Sequence, residues 1–413
     1  MLSLVYHRMS ETFEMEKTKI SCPLCGSLKL RVFYSMIDVP TSCNRLWKTK
    51  DDALNCPKGD IRLAFCPHCT FISNIAIEPQ KNQYDNQYDN SLFYSTHFQD
   101  FANKLATDLV QRYNLHNKRI VEIGGGKVNF LSIMTSLGKN NGFRFNPFGS
   151  KVKATDHAIN DLDSSNLKSF QLLSEDKNID FIFSYHELEH LNNPMNFLKN
   201  LKLAILKNVS VRLFFSVPNA LKAFEDGDYT DVIYEHVSYF TIPSLYFLFA
   251  NCGFGISRIE ETEGEIFDSI YVDATIKQEE TSGTKSVSET VVIQVEKCVR
   301  QFAARTDENI KRLSKQLKNL FDEGNRIVIW GVGARGVTIL NILRDRRIEY
   351  AVDINPRKQG MYVPGTGQNI VKPEFLSDYK PQFILLSNAP YEAEIKKTLD
   401  ELGIRAGFLH IHE

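Results

Sequence analysis

Arg119-Ile-Val-Glu-Ile-Gly124-Gly125-Gly126-Lys-Val-Asn-Phe-Leu131 is the stretch that decides the fold. Its first residues form a β-branched, apolar run of the kind a buried strand needs. Three glycines follow, and Phe130-Leu131 begin an apolar helical pattern. A strand, a glycine turn and a helix in that order open a doubly wound parallel sheet. Glycine suits the turn because, without Cβ, the backbone can approach a bound group.

The pattern continues in both directions. Phe98, Phe101, Leu105 and Leu109 have helical spacing upstream. Further strands are expected at 142–145, 179–184 and 211–217. A second unit, Arg326-Ile-Val-Ile-Trp-Gly331-Val-Gly333-Ala-Arg-Gly336, repeats the strand, glycine turn and helix start. Strands at 349–353, ending in Asp353, and at 381–387 accompany it. Two nucleotide-type folds in one chain imply two nucleotide-bearing ligands. The polar run 278–286 marks a boundary, and 287–321 is patterned as a long helix.

Near the N-terminus stand Cys22-Pro-Leu-Cys25 and Cys66-Pro-His-Cys69. Each pair places two thiolates on one tight turn, half of a tetrahedral zinc site. Four thiolates leave no open position, so one structural zinc on Cys22, Cys25, Cys66 and Cys69 is expected. Cys43, Cys56, Cys252 and Cys298 show no such spacing. The expected organisation is α/β in three parts. Residues 1–19 are a disordered extension and 20–80 a small zinc-binding module. Residues 81–277 form the core, 278–323 a linker and connecting helix, and 324–413 a smaller Rossmann-like domain.

Lys and Arg number 49 against 50 Asp and Glu. Such a balance gives no electrostatic footprint for nucleic acid or an anionic membrane. No apolar run reaches membrane-spanning length. Metal-type cysteine spacing without a secretory leader points to a reducing, cytoplasmic setting. The expected partner is a small molecule.

Glu122-Ile-Gly124-Gly125-Gly126 resembles the first motif of class I S-adenosylmethionine methyltransferases. Asp180-Phe-Ile-Phe-Ser-Tyr-His186-Glu-Leu-Glu189-His190 resembles a later segment of the same enzymes. Asp231-Val-Ile-Tyr234-Glu235-His236-Val-Ser-Tyr239-Phe240 sharpens the match. With the cysteine module, the segment Tyr84-Asp-Asn-Gln-Tyr88 and the motif Asp353-Ile-Asn-Pro356, the chain resembles the zinc-containing C-methyltransferases of nucleotide-linked deoxy-keto sugars. The resemblance implies a class I methyltransferase core, S-adenosylmethionine as cofactor and a nucleotide-linked sugar as substrate. It places the cofactor on Glu122, Gly124, Gly125, Gly126, Asn146, His186 and Glu189. It places the substrate on Tyr84, Gly331, Gly333, Gly336 and Asp353.

The chemistry agrees with that resemblance. Methylating carbon beside a ketone requires removal of an acidic C–H proton. His236 is the expected base, with Glu235 orienting it. Tyr234, Tyr239, Tyr88 and Tyr84 are candidates for the enolate oxygen or sugar contacts. Two positions depart from the pattern: Val128 stands where a third glycine is common, and Asn146 where an acid usually meets the ribose. They motivate a first rival, a non-catalytic binding protein with a degenerate cofactor site. A second rival is an NAD-using enzyme built on Gly331, Gly333, Gly336 and Asp353.

Overall fold

The structure is a computed structural model. It describes residues 16–17, 20–81, 87–124, 130–146, 160–163, 170, 173–174, 178–208, 210–264, 266–277 and 287–411. Three sheets are present among them. The first is antiparallel and contains β1 (Glu16–Lys17), β2 (Arg31–Pro40), β3 (Lys58–Phe65) and β4 (Ile72–Asn74). Ile61, Leu63 and Phe65 alternate into its core, the period of two that a half-buried strand requires. Its edge is completed from far along the chain: Ser238 and Tyr239, the strand β10, pair with Ser73 and Ile72. The cysteine module therefore does not close on itself. Glu16 and Lys17 pair with Val32 and Arg31, so the expected extension is ordered at those two residues. The rest of 1–19 lies outside the described residues, as does 278–286.

The second sheet holds β5 (Arg119–Ile123), β6 (Asn141–Asn146), β7 (Asn160–Asp163), β8 (Phe181–Tyr185) and β9 (Arg212–Pro218), with β11 (Phe254–Thr262) and β12 (Ser269–Ile276). The spatial order is β11-β12-β9-β8-β5-β6-β7, and β12 runs antiparallel between β9 and β11. The strands β5 to β9 are parallel, and β5, β8 and β9 are buried, which explains their apolar runs. Phe98, Leu105 and Leu109 of helix Thr96–Arg112 cover one face with Phe130 and Met134. Phe197, Leu201, Leu245 and Phe249 cover the other. Strand order reverses between β5 and β8, and such a switch point opens a crevice at the carboxyl ends of the strands.

The third sheet is wholly parallel, ordered β15-β14-β13-β16-β17. Its strands are β13 (Ile327–Trp330), β14 (Tyr350–Val352), β15 (Asn369–Val371), β16 (Phe383–Leu386) and β17 (Gly407–Leu409). It too has a switch point, between β13 and β16. Helix Glu289–Asp322 joins this domain to the first sheet: Phe302 packs on Phe33 and Tyr34, and Leu313 and Leu317 share a core with Ile327 and Ile329. The expected long helix is thus a strut buried along one face. No described helix is long and apolar enough to cross a membrane.

Candidate active site

The carboxyl ends of both parallel sheets open onto one cavity of about 430 Å3. Such a volume suits a small-molecule site. Tyr185 and His186 reach it from the end of β8, and Gly331, Asp353 and Ser387 from the ends of β13, β14 and β16. Tyr88 and Ser91 line it from the connecting segment, and Asp231 and His236 from the loop before β10. Asp89 pins that segment in place: it pairs with Arg357 at 2.9 Å and accepts a hydrogen bond from Asn355.

Of the residues expected to hold a cofactor, Gly124 turns at φ +89°, and a Cβ there would lie 2.2 Å from the Glu187 side chain. Only glycine combines that backbone with that contact. Glu187 itself lines the cavity. Asn146 ends β6, in register with Asp163. Gly125, Gly126, Val128 and Tyr84 lie outside the described residues. Glu122 is not turned to the cavity: its carboxylate, 2 % exposed, is held by Arg144 at 2.9 Å. His186 takes a left-handed φ of 50°, stacks on Tyr185 and meets Ser269 Oγ at 3.0 Å. A positive φ on a non-glycine residue is a strained choice, and such strain gathers at functional sites.

His236 reaches the cavity, but its orientation differs from expectation. Its Nδ1 lies 3.1 Å from the Asp231 carbonyl oxygen, not against Glu235. Asp231 is in turn clamped by Arg335, whose guanidinium pairs with Asp231 at 2.9 Å and with Asp228 at 3.2 Å. The C-terminal domain thereby positions the loop that carries His236. Glu235 serves two other contacts. Its Oε1 accepts from the Cys43 backbone N–H at 2.6 Å, and its carbonyl oxygen lies 3.0 Å from His190 Nδ1. Burial raises its carboxyl to about 7.

His186, His190 and His236 are each pushed down to about 3, chiefly by burial, so all three imidazoles are neutral near pH 7. A neutral imidazole donating from Nδ1 presents Nε2 as the proton acceptor.

Tyr234 is turned away from the cavity. Its hydroxyl accepts from the Glu78 backbone N–H at 2.8 Å, and its ring fills the space left by Gly59. Tyr239 backs the loop, its hydroxyl donating to the Ile233 carbonyl oxygen at 3.4 Å. Tyr234→Phe is therefore expected to keep turnover within a few-fold of wild type while losing ~1 kcal/mol of stability, read by urea unfolding beside an activity assay.

In the C-terminal domain, Gly331 turns at φ +94° and Gly336 lies so close that a Cβ would sit 2.0 Å from the Gly331 carbonyl oxygen. Gly333 precedes helix Ala334–Leu343 and faces open space. Asp353 carries two further contacts: its carboxylate accepts from the Val332 and Asn355 backbone N–H groups at 2.9 and 2.8 Å. It braces the glycine turn while also lining the cavity. Lys358, 5 % exposed, donates to the Val332 carbonyl oxygen at 2.7 Å and lines the cavity.

The sequence assigns no role to His190, Arg335 or Lys358, all of which line the cavity. His190 adjoins Glu189 in the quoted motif and Arg335 sits inside the glycine fingerprint, but neither position says which way the side chain faces.

The four expected cysteines converge. Cys22 Sγ lies 3.6 Å from Cys69 Sγ, Cys25 Sγ lies 3.5 Å from Cys66 Sγ, and all four sulfurs fall within 4.8 Å of one another. Sulfurs about 2.3 Å from a tetrahedral metal stand about 3.8 Å apart, whereas a disulfide needs about 2.05 Å. The arrangement fits a metal. Left-handed residues, Gly26 and Thr70, end the two turns.

The chain matches the family described as a methyltransferase domain over residues 97–258 and that described as a C-methyltransferase C-terminal domain over 264–410. Its sequence is 25% identical over 190 residues to the C-methyltransferase NovU of Streptomyces niveus, covering 44% of this chain and 45% of that protein. The match thus spans less than half the length of that relative.

Among solved structures, the magnesium protoporphyrin IX methyltransferase of Synechocystis PCC 6803 with bound SAH is similar at a TM-score of 0.31 and 15% identity, covering 44% of this chain and 84% of that one. The 1,6-didemethyltoxoflavin-N1-methyltransferase of Burkholderia thailandensis is similar at 0.32 and 11%, covering 50% and 96%.

Proposed function

We propose that this chain, which matches a methyltransferase-domain model over residues 97–258 and a C-methyltransferase C-terminal-domain model over 264–410, methylates carbon beside the ketone of a nucleotide-linked sugar. The observation that carries this reading is one cavity onto which the carboxyl ends of the parallel strands of both the second and third sheets open. One crevice would take the methyl donor and the other the nucleotide, so that the sugar lies between them.

S-adenosylmethionine would supply an electrophilic methyl over the Gly124 turn, beside the end of β6 where Asn146 stands. The nucleotide would lie on the Gly331–Gly333 turn, where the N-terminus of helix Ala334–Leu343 and the Lys358 ammonium favour a diphosphate. Nε2 of His236 takes the proton from the carbon beside the ketone. Tyr88, on the cavity wall, donates to the oxygen on which negative charge develops. This carbon accepts the methyl that S-adenosylmethionine, when bound, would supply. Zinc on Cys22, Cys25, Cys66 and Cys69 would act in folding alone.

Calorimetry on the full chain tests the two-crevice arrangement. S-adenosylhomocysteine and a nucleoside diphosphate are each expected to bind with one site, and neither should displace the other. Gly124→Ala should abolish the first and spare the second, while lowering stability by ~1 kcal/mol or more. Absence of S-adenosylhomocysteine binding to the wild-type chain would favour the non-catalytic rival instead. Competition between the two ligands would overturn the arrangement.

A further inference from the structure

Glu189 has no place in the chemistry above. It is 1 % exposed, lines the cavity, and neither carboxylate oxygen has a hydrogen bond to another described residue. A buried carboxyl without a hydrogen bond is costly, and it can ionise there only beside a counter-charge such as a bound cation. Two imidazoles stand beside it: a carboxylate oxygen of Glu189 and ring nitrogens of His190 and His236 all lie within 4.8 Å of one another. The two rings face edge-on, 4.9 Å between centroids. Each is fixed from behind by a backbone carbonyl, His190 Nδ1 on Glu235 at 3.0 Å and His236 Nδ1 on Asp231 at 3.1 Å. Imidazoles held in this way, with Nδ1 on a carbonyl and Nε2 presented forward, are arranged as metal ligands are.

The geometry points to a second cation site, in which Glu189, His190 and His236 bind a divalent transition metal at the cavity wall. Two nitrogens and one carboxylate select a borderline ion such as Zn2+ or Co2+ over Mg2+ or Ca2+. Three protein ligands leave a position open toward the cavity, unlike the closed four-cysteine site. The ion takes the same His236 Nε2 that accepts the substrate proton, so metal and proton transfer compete for one atom. Occupancy switches the base off. The binding itself stands independently of the proposed reaction, whereas the inhibition rests on His236 being the base.

Cobalt titration of the full chain, with its cysteine-bound metal retained, tests both parts. Co2+ should add one equivalent with visible d–d bands and no thiolate charge-transfer band. Glu189→Gln and His190→Ala should each weaken that binding by at least the ~10–100-fold lost when an outer-shell partner of a metal ligand is removed. Glu189→Gln keeps the size of a side chain whose burial already favours the neutral carboxyl, so it is expected to fold, and thermal melting checks this. In wild type, hydrogen exchange at the substrate's α-carbon should fall in step with cobalt occupancy and recover with a chelator. No nitrogen–oxygen cobalt spectrum in wild type, or the same spectrum and affinity in both variants, overturns the site and leaves the base untouched. A saturated site with undiminished exchange overturns the competition and removes His236 as the base.

Discussion

His236→Ala should slow hydrogen exchange at the α-carbon of a nucleotide-linked keto sugar by ~100-fold or more, with nucleotide binding unchanged. The exchange needs no methyl donor, so it isolates proton removal from methyl transfer. The expectation rests on placement: His236 lines the cavity, and the Asp231 carbonyl at 3.1 Å fixes its Nδ1. Glu235→Gln should cost much less, because Glu235 braces the loop through Cys43 and does not touch the His236 ring through its carboxylate. Exchange by His236→Ala at the wild-type rate would remove it from the mechanism and make His186, also on the cavity wall, the next base to test.

Cys22→Ser or Cys66→Ser should release the metal and lower stability by several kcal/mol, on the order of 4 or more. The cost should not stay within the cysteine module. Cys22, Cys66 and Cys69 are buried in one core with Val121 of β5, Phe240, Leu245 and Phe249. The strand that leaves the second knuckle, β4, pairs with β10, which begins two residues after His236. Loosening the knuckles therefore loosens the loop that carries His236, and exchange at the α-carbon should fall along with the melting temperature. Full metal occupancy in both variants would reject the ligand set.

The two βα units were legible because their signals are local. Apolar runs, glycine turns and helical spacing at 119–131 and 326–336 each lie within a dozen residues or so, and β5 and β13 form there. The cysteine pairs were legible for the same reason, since two thiolates on each turn leave only the meeting of the turns to tertiary structure. What the sequence hid is direction and distance. Nothing local makes Ser238–Tyr239 the edge of a sheet built from residues before 75, because a two-residue strand has no period to read. Tyr234 and Tyr88 are equally polar-tipped in sequence, yet only Tyr88 faces the cavity, while Gly59 receives the Tyr234 ring. Asp353 has the spacing of a ribose-binding acid, and nothing local shows that two backbone amides also reach its oxygens. Arg335 reads as part of a glycine fingerprint and acts across the domain boundary on Asp231 and Asp228.

The central claim is carbon methylation in the cavity shared by the two parallel sheets. Its most direct test incubates the full chain with 13C-methyl-labelled S-adenosylmethionine and a nucleotide-linked keto sugar, and follows the label by NMR. A new methyl signal bonded to the sugar carbon beside the ketone is expected, and its loss in His236→Ala. A label found on oxygen or nitrogen, or no transfer while both ligands are bound, would contradict it.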